Sequence, residues 1–152
     1  MEAIRTRDFA PSDIGAILEI QRTAEEMAQW RAGDYQRLAE EPGGLILVAE
    51  WEGAGGMAGF AAARAIGKEA ELQNLAVRPG FRRRGVARQL VGTLHERLTE
   101  AGVERIFLEA RVSNFAALGL YRSCGYTERG LRRNYYASDG EDALVLECRL
   151  TG

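Results

Sequence analysis

The sequence predicts a mixed α/β domain in which one sheet is flanked by helices. Two apolar segments around a glycine cluster read as a β-hairpin. A helix whose apolar residues step by four lies between two further strands. The full order, β-α-α-β-β-β-α-β-α-β-β, sets antiparallel strands ahead of a central strand-helix-strand unit. The 152 residues fall within the roughly 100–200 expected of one domain, so residues 1–152 read as a single domain.

Residues 2–7 alternate around Ala3 and Ile4, which suits a short edge strand. Ile14, Ile17, Leu18 and Ile20 recur at helical spacing after Pro11 and Ser12, a helix start. A second short helix is expected over residues 34–40, stopped by Pro42, Gly43 and Gly44. Residues 45–51 and 57–66 form the hairpin, separated by Gly53, Gly55 and Gly56. Residues 71–77 make a strand that ends at Pro79 and Gly80. Val86, Leu90, Leu94 and Leu98 mark an amphipathic helix that Gly102 stops. Residues 105–111 read as a buried strand and 115–123 as a short helix ending before Gly125. Residues 126–133 and 143–150 are the last strands, around a loop with an Asp139-Gly140 turn signal.

Composition narrows the function classes. Hydrophobic residues at 46% and charged residues at 28% exclude a disordered chain. A net charge of −2 exerts no global pull toward nucleic acid or an acidic membrane. Residues 1–77 carry 7 basic and 13 acidic groups, net −6, and residues 78–152 carry 13 and 9, net +4. The second half is therefore the better home for an anionic ligand. Cys124 and Cys148 make neither a disulfide scaffold nor a zinc knuckle, and they read as small buried hydrophobes. The only histidine, His95, is expected at a surface or boundary, and no metal site is expected. The first ten residues lack the apolar block of a signal peptide, and residues 45–49, the longest aliphatic run, are too short for a membrane span. The chain is expected to be soluble and cytoplasmic.

The most informative stretch joins the strand of Leu75, Ala76 and Val77 to the helix at Val86. Five arginines (Arg78, Arg82, Arg83, Arg84 and Arg88) surround Gly85 there. Free backbone N–H groups and the positive end of a helix dipole meet at such a turn and bind phosphate. A Walker loop is excluded, because the only lysine, Lys68, lies outside the turn. A Rossmann fingerprint is excluded too, because Gly53, Gly55, Gly56 and Gly59 sit within a hairpin.

The run Arg82-Arg83-Arg84-Gly85-Val86-Ala87 resembles the Arg/Gln-x-x-Gly-x-Gly/Ala signature of the GNAT superfamily of acyl-CoA-dependent N-acetyltransferases. A closer resemblance is to the ribosomal-protein alanine N-acetyltransferases, the RimI family. It rests on that turn with residues 108–114, Leu120-Tyr121, 124–126 and 132–136. The resemblance covers residues 70–150 well and implies the GNAT-like acyl-CoA N-acyltransferase fold, with acetyl-CoA as co-substrate. It implies that Arg83, Arg84, Gly85, Val86, Ala87 and Arg88 hold the CoA pyrophosphate. It implies further that Leu75, Ala76 and Val77 pair their backbone with the pantetheine arm and that an amide near Val77 polarises the thioester carbonyl.

Acetyl transfer to an amine needs a neutral nucleophile, a stabilised oxyanion and a departing thiolate. An α-amine has a pKa of about 7.7–8.0 against about 10.4 for lysine, a difference of about 3.4 kcal/mol in deprotonation. One carboxylate then suffices as base. Read from residues alone, Glu109 either ion-pairs with Arg105 or Arg111 on an exposed face or serves that role. The resemblance implies the role of proton acceptor. Tyr121 reads as an amphipathic core residue packed with Phe115 and Leu118, and the resemblance makes it the proton donor to the CoA thiolate. Asn114 suits a helix cap, and the resemblance adds a CoA contact.

Tyr135 lies in the loop between the last two strands, where the resemblance implies a wall of a groove for a peptide N-terminus. Trp30 is implied as the opposite wall, although Ala28-Gln29-Trp30 departs from the family's apolar-Pro-Trp. The expected partner is a protein or peptide N-terminus, a ribosomal protein included, with no nucleic acid and no membrane. A small-molecule amine, a lysine side chain and a non-catalytic acyl-CoA-binding module are the alternatives.

Overall fold

The computed structural model describes residues 3–24, 29–53, 56–136 and 139–150. Glu2, Ala28 and Gly55, each used in the reading above, lie outside the described residues.

Seven strands form one sheet in the order β1-β2-β3-β4-β5-β7-β6. They are β1 (Ile4–Asp8), β2 (Gly44–Trp51), β3 (Gly56–Ile66), β4 (Glu69–Val77), β5 (Arg105–Arg111), β6 (Thr127–Arg132) and β7 (Ala143–Arg149). The helices are α1 (Ile14–Arg22), α2 (Ala32–Glu40), α3 (Val86–Glu100) and α4 (Phe115–Ser123). Element order agrees with the sequence reading; the bounds of 105–111 and 115–123 hold unchanged, and the others move by at most three residues.

Two apolar layers enclose the sheet. On one face α3 buries Val86, Leu90, Val91, Leu94 and Leu98 against Leu47, Ala61, Ile106 and Leu108. On the other face α1 and α2 bury Ile17, Ile20, Tyr35 and Leu38 against Ile46, Val48, Phe60 and Ala62. Each such aliphatic side chain contributes about 1.5–3 kcal/mol on leaving water. β3 places Ala61, Ala62 and Ala63 in its centre, all fully buried, so both helical layers approach closely. Gly59 serves the same end: a Cβ there would sit 2.7 Å from the Ala76 carbonyl oxygen.

Two departures from regular pairing shape the molecule. β4 and β5 are the only parallel neighbours among the described strands, and their register ends after Glu69↔Arg105, Ala70↔Ile106 and Glu71↔Phe107. Beyond that point no pairing joins them, and a cleft opens. Second, β4 carries a bulge. Ala63 faces Leu72 while Ala62 faces Asn74, so Gln73 is an extra residue. One extra residue reverses the side-chain alternation. Leu72 thus packs with the α3 layer, while Asn74 and Ala76 turn toward the α1–α2 layer.

Candidate active site

Two cavities meet in the cleft between β4 and β5. The smaller, about 190 Å³, is lined by Glu71, Asn74, Glu109, Tyr121 and Tyr135 among others. The larger, about 640 Å³, runs along Leu75, Ala76 and Val77 to Arg83, Gly85, Val86, Ala87 and Arg88. Ala24, Leu75, Asn114, Ala117 and Tyr121 line both.

The Arg78 N–H reaches the Ala58 carbonyl on β3 at 2.7 Å. Because strand amides alternate sides, the N–H groups of Leu75 and Val77 turn to the cleft edge, which has no strand partner beyond Glu71. The following turn then feeds α3. Arg83 and Gly85 both sit in the left-handed region, at φ 64° and 80°. The conformation is free for Gly85 and costs Arg83 about 1 kcal/mol. The first intrahelical bond is Gln89 N–H to the Gly85 carbonyl, 3.0 Å, so the amides of Val86, Ala87 and Arg88 lack helical partners. Such a helix start accepts anions. Two contacts anchor the turn. Phe81 packs edge-on against Trp51 at 5.2 Å, and the Arg82 Nε donates to the Val77 carbonyl at 3.1 Å. Arg84 lies over the Phe81 ring, 5.5 Å away, and does not line the larger cavity; its place in the turn is through its backbone.

Glu109 stands on the β5 face that the α1 and α2 layer leaves uncovered. Its sequence neighbours are engaged elsewhere. Arg105 approaches Glu69 at 3.9 Å and Glu147 at 3.8 Å, and Arg111 pairs with Asp139 and Glu141 at 2.8 and 3.1 Å. The cation against Glu109 is Arg132 of β6, Nε to Oε1 at 3.5 Å. Oε2 is buried and has no hydrogen-bond partner among the described residues. Glu71, two rungs away on the same face, has its pKa raised by burial and by the Glu109 charge.

Tyr121 projects from α4 at the junction of the cavities and is 8% exposed. Burial raises its hydroxyl well above the ordinary phenol value, so the group stays protonated across the neutral range. Its ring meets Tyr126 edge-on at 5.5 Å, and the Tyr126 hydroxyl is 2.8 Å from His95 Nε2. His95 is therefore a half-buried boundary residue, as expected. Cys148 is buried, Cys124 is half-buried, and neither is in a disulfide. Asn114 caps α4, its Oδ1 accepting the Ala117 N–H at 3.2 Å.

Tyr135 lines the smaller cavity while remaining 46% exposed. Burial of its hydroxyl and the facing Glu109 raise its pKa. Its loop is fastened to the end of β5: the Arg111 guanidinium lies 3.9 Å from the Tyr136 ring centre, and the Ser113 N–H donates to Glu141 at 2.8 Å. Trp30 stands apart from Tyr135. It packs on Tyr35 at 5.0 Å and lines a separate depression with Asp34, Arg37 and Gln73. Among the described residues only Gln73, the bulge residue, lines that depression as well as the Glu109 cavity.

Sequence reasoning missed Arg132 as the partner of Glu109, and missed Glu71, Gln73 and Asn74. For Asn74 a signal existed: Gln73 and Asn74 are two successive polar residues between Leu72 and Leu75, a break in strand alternation. Among the described residues no cluster of three or more potential metal ligands occurs, and no helix is long and apolar enough to cross a membrane.

Comparison with known proteins adds to this geometry. A family model described as the acetyltransferase (GNAT) family matches residues 14–126. The N-alpha-acetyltransferase RimI of Mycobacterium tuberculosis is 35% identical over 154 aligned positions, 93% of this chain and 94% of that protein. The ribosomal protein bS18-alanine N-acetyltransferase of Salmonella typhimurium is 46% identical over 92 positions, which span 59% of this chain and 62% of that one. The crystal structure of the ribosomal-protein-S18-alanine N-acetyltransferase from Escherichia coli superposes with a TM-score of 0.85 at 29% identity, covering 99% of this chain and 96% of that one.

Proposed function

The chain belongs to the acetyltransferase (GNAT) family, and on that premise we propose that it acetylates the α-amine of a polypeptide N-terminus, of the ribosomal-protein alanine type, using acetyl-CoA. The observation that carries the reading is the junction at Tyr121. There a small cavity holding the half-buried Glu109 side chain, its Oε2 buried and unpaired, opens into a larger one that ends at unpartnered amides. The full-length relatives named as α-amine acetyltransferases support the choice of acceptor.

The larger cavity takes the CoA moiety. The amides of Val86, Ala87 and Arg88 and the dipole of α3 meet its pyrophosphate, with Arg83 and Arg88 on the rim and the backbone of Arg84 completing the turn. Leu75, Ala76 and Val77 line the pantetheine arm, Asn114 flanks it, and the Val77 N–H polarises the thioester carbonyl. The acceptor amine enters beside Glu109, bounded by Tyr135. Trp30 borders the acceptor side from its neighbouring depression rather than as a wall of the Glu109 cavity.

Glu109 Oε2 accepts the ammonium proton, directly or through one water, and passes it to solvent, while Arg132 holds Oε1. The neutral amine attacks the carbonyl carbon, the C–N bond forms and the C–S bond breaks, and the Glu109 carboxylate takes the second amine proton as the amide forms. Tyr121 donates its proton to the departing sulfur. A thiol with a pKa of about 8.5 needs little such help, so Tyr121 contributes less than Glu109.

The test is thiol release from acetyl-CoA. Three peptides are offered: an alanine-initiated peptide, the same peptide blocked by acetylation, and a blocked peptide bearing a lysine. Release with the free N-terminus alone is expected. Release only with the lysine peptide would replace the α-amine by a side chain, and silence with all three would point to a small-molecule amine or a binding module.

A further inference from the structure

A chain of polar side chains crosses the core beneath the Glu109 cavity, and it runs in one direction. Gln21 Nε2 donates to the Trp30 carbonyl at 2.7 Å. The Tyr35 hydroxyl donates to Gln21 Oε1, and Asn74 Nδ2 donates to the Tyr35 oxygen at 2.9 Å. The direction is forced. A backbone carbonyl only accepts, so Gln21 must turn its NH₂ to Trp30 and its oxygen to Tyr35. The single tyrosine proton then goes to Gln21, and Asn74 must meet Tyr35 with its own NH₂.

Every donor thus points away from the cavity, and the end left over is an acceptor. Asn74 is 3% exposed, lines the smaller cavity, and its Oδ1 has no hydrogen-bond partner among the described residues. Glu109 Oε2, on the same cavity, is in the same condition. Buried polar atoms are almost always paired. Two residues that each carry an unpaired buried acceptor line one cavity of about 190 Å³, and a ligand that brings two donors would pair both.

We propose that Asn74 is an acceptor-binding residue whose Oδ1 takes one N–H of the incoming amine while Glu109 takes the other. The proposal rests on the reading that an amine is the acetyl acceptor and adds what the cavity selects. A neutral primary amine has two N–H bonds and one lone pair. With both N–H bonds held, the lone pair is directed to the thioester carbon. A hydroxyl, or a secondary amine once deprotonated, has only one hydrogen and leaves Asn74 Oδ1 unsatisfied, which is how a site built on hydrogen bonds rejects an analogue. Trp30 acts through its carbonyl, as the fixed end that orients the chain.

The experiment compares an alanine-initiated peptide with the same peptide beginning in N-methylalanine, in the wild type and in Asn74→Ala and Asn74→Ser. CoA-induced thermal stabilisation verifies that each variant folds, and the serine variant serves if the alanine one does not. The wild type is expected to favour the primary amine by about 100-fold or more in kcat/KM. Each variant is expected to lose about 10- to 100-fold on the alanine peptide and to change less than about threefold on the N-methyl peptide. The KM for acetyl-CoA should stay within about twofold. Equal losses on both peptides would assign Asn74 to the fold alone and overturn the proposal, as would an unchanged rate on the alanine peptide. A wild type silent with both peptides would overturn the α-amine reading and this proposal together, whereas turnover with an unaltered preference in the variants overturns this proposal only.

Discussion

Glu109 and Tyr121 line one cavity, but only Tyr121 also lines the larger cavity that reaches the turn before α3. Twelve residues separate them in the chain, and the turn from β5 into α4 brings them to the same space. The proposed base therefore meets the amine, and the proposed acid meets the leaving sulfur.

That division predicts unequal losses. Glu109→Gln is expected to lower kcat/KM by about 10²–10⁴-fold, whereas Tyr121→Phe should cost about tenfold, the leaving thiol being a good leaving group at neutral pH. Both variants should keep the CoA-induced rise in Tm. Steady-state rates between pH 6 and 9 check this, and full activity of Glu109→Gln throughout that range would remove it as base.

Gly85 separates backbone strain from charge. A Cβ there meets no heavy atom within 4 Å, yet φ is +80°. Gly85→Ala should therefore cost about 1 kcal/mol of stability and still bind CoA. Gly85→Glu adds a negative charge beside the free amides of α3, and it should abolish the thermal stabilisation, which is about 2.7 kcal/mol at a hundredfold excess over Kd. A surviving shift in the glutamate variant would refute the phosphate site.

Tyr135 lines the Glu109 cavity and has no place in the larger one. Tyr135→Ala is expected to raise the KM of the acceptor peptide by about fivefold, the scale of one lost ring contact, and to leave that of acetyl-CoA near its starting value. Equal changes in both constants would take Tyr135 out of the acceptor groove.

His95 gives the fold a pH dependence whose sign follows from burial. Desolvation lowers its pKa in the folded chain, below about 6.5 in the unfolded one. The unfolded chain therefore takes up the proton first. The contribution is complete above about pH 6.5 and is lost as the pH falls below it. His95→Gln should melt lower than wild type at pH 8, having lost the Tyr126 contact. It should lose less further stability between pH 7.5 and 5.5. Parallel curves for the two proteins would contradict this account.

Much of the fold was legible in the sequence because its signals are local. The four-residue steps of Val86, Leu90, Leu94 and Leu98, the glycine cluster of the hairpin and the stop at Gly102 each act within one or two turns of chain. The arginine-rich turn around Gly85 was equally readable, since a helix start and a left-handed glycine belong to one short segment. Glu109 and Tyr121 stood out through the resemblance, while their environment did not: Arg105 and Arg111 were the nearest cations in sequence, yet Arg132 of a different strand supplies the contact.

The sequence by itself determined the order of elements and the arginine-rich turn proposed to meet an anion, and its resemblance singled out the pair of residues proposed to move protons. Tertiary structure alone decided where β4 and β5 part, which face Asn74 turns to, and that Trp30 packs on Tyr35 rather than opposite Tyr135. The physical reason lies in strand registry. Side-chain alternation is a property of one strand, but the extra residue at Gln73 exists only relative to β3. A single step of register exchanges the two faces of everything that follows.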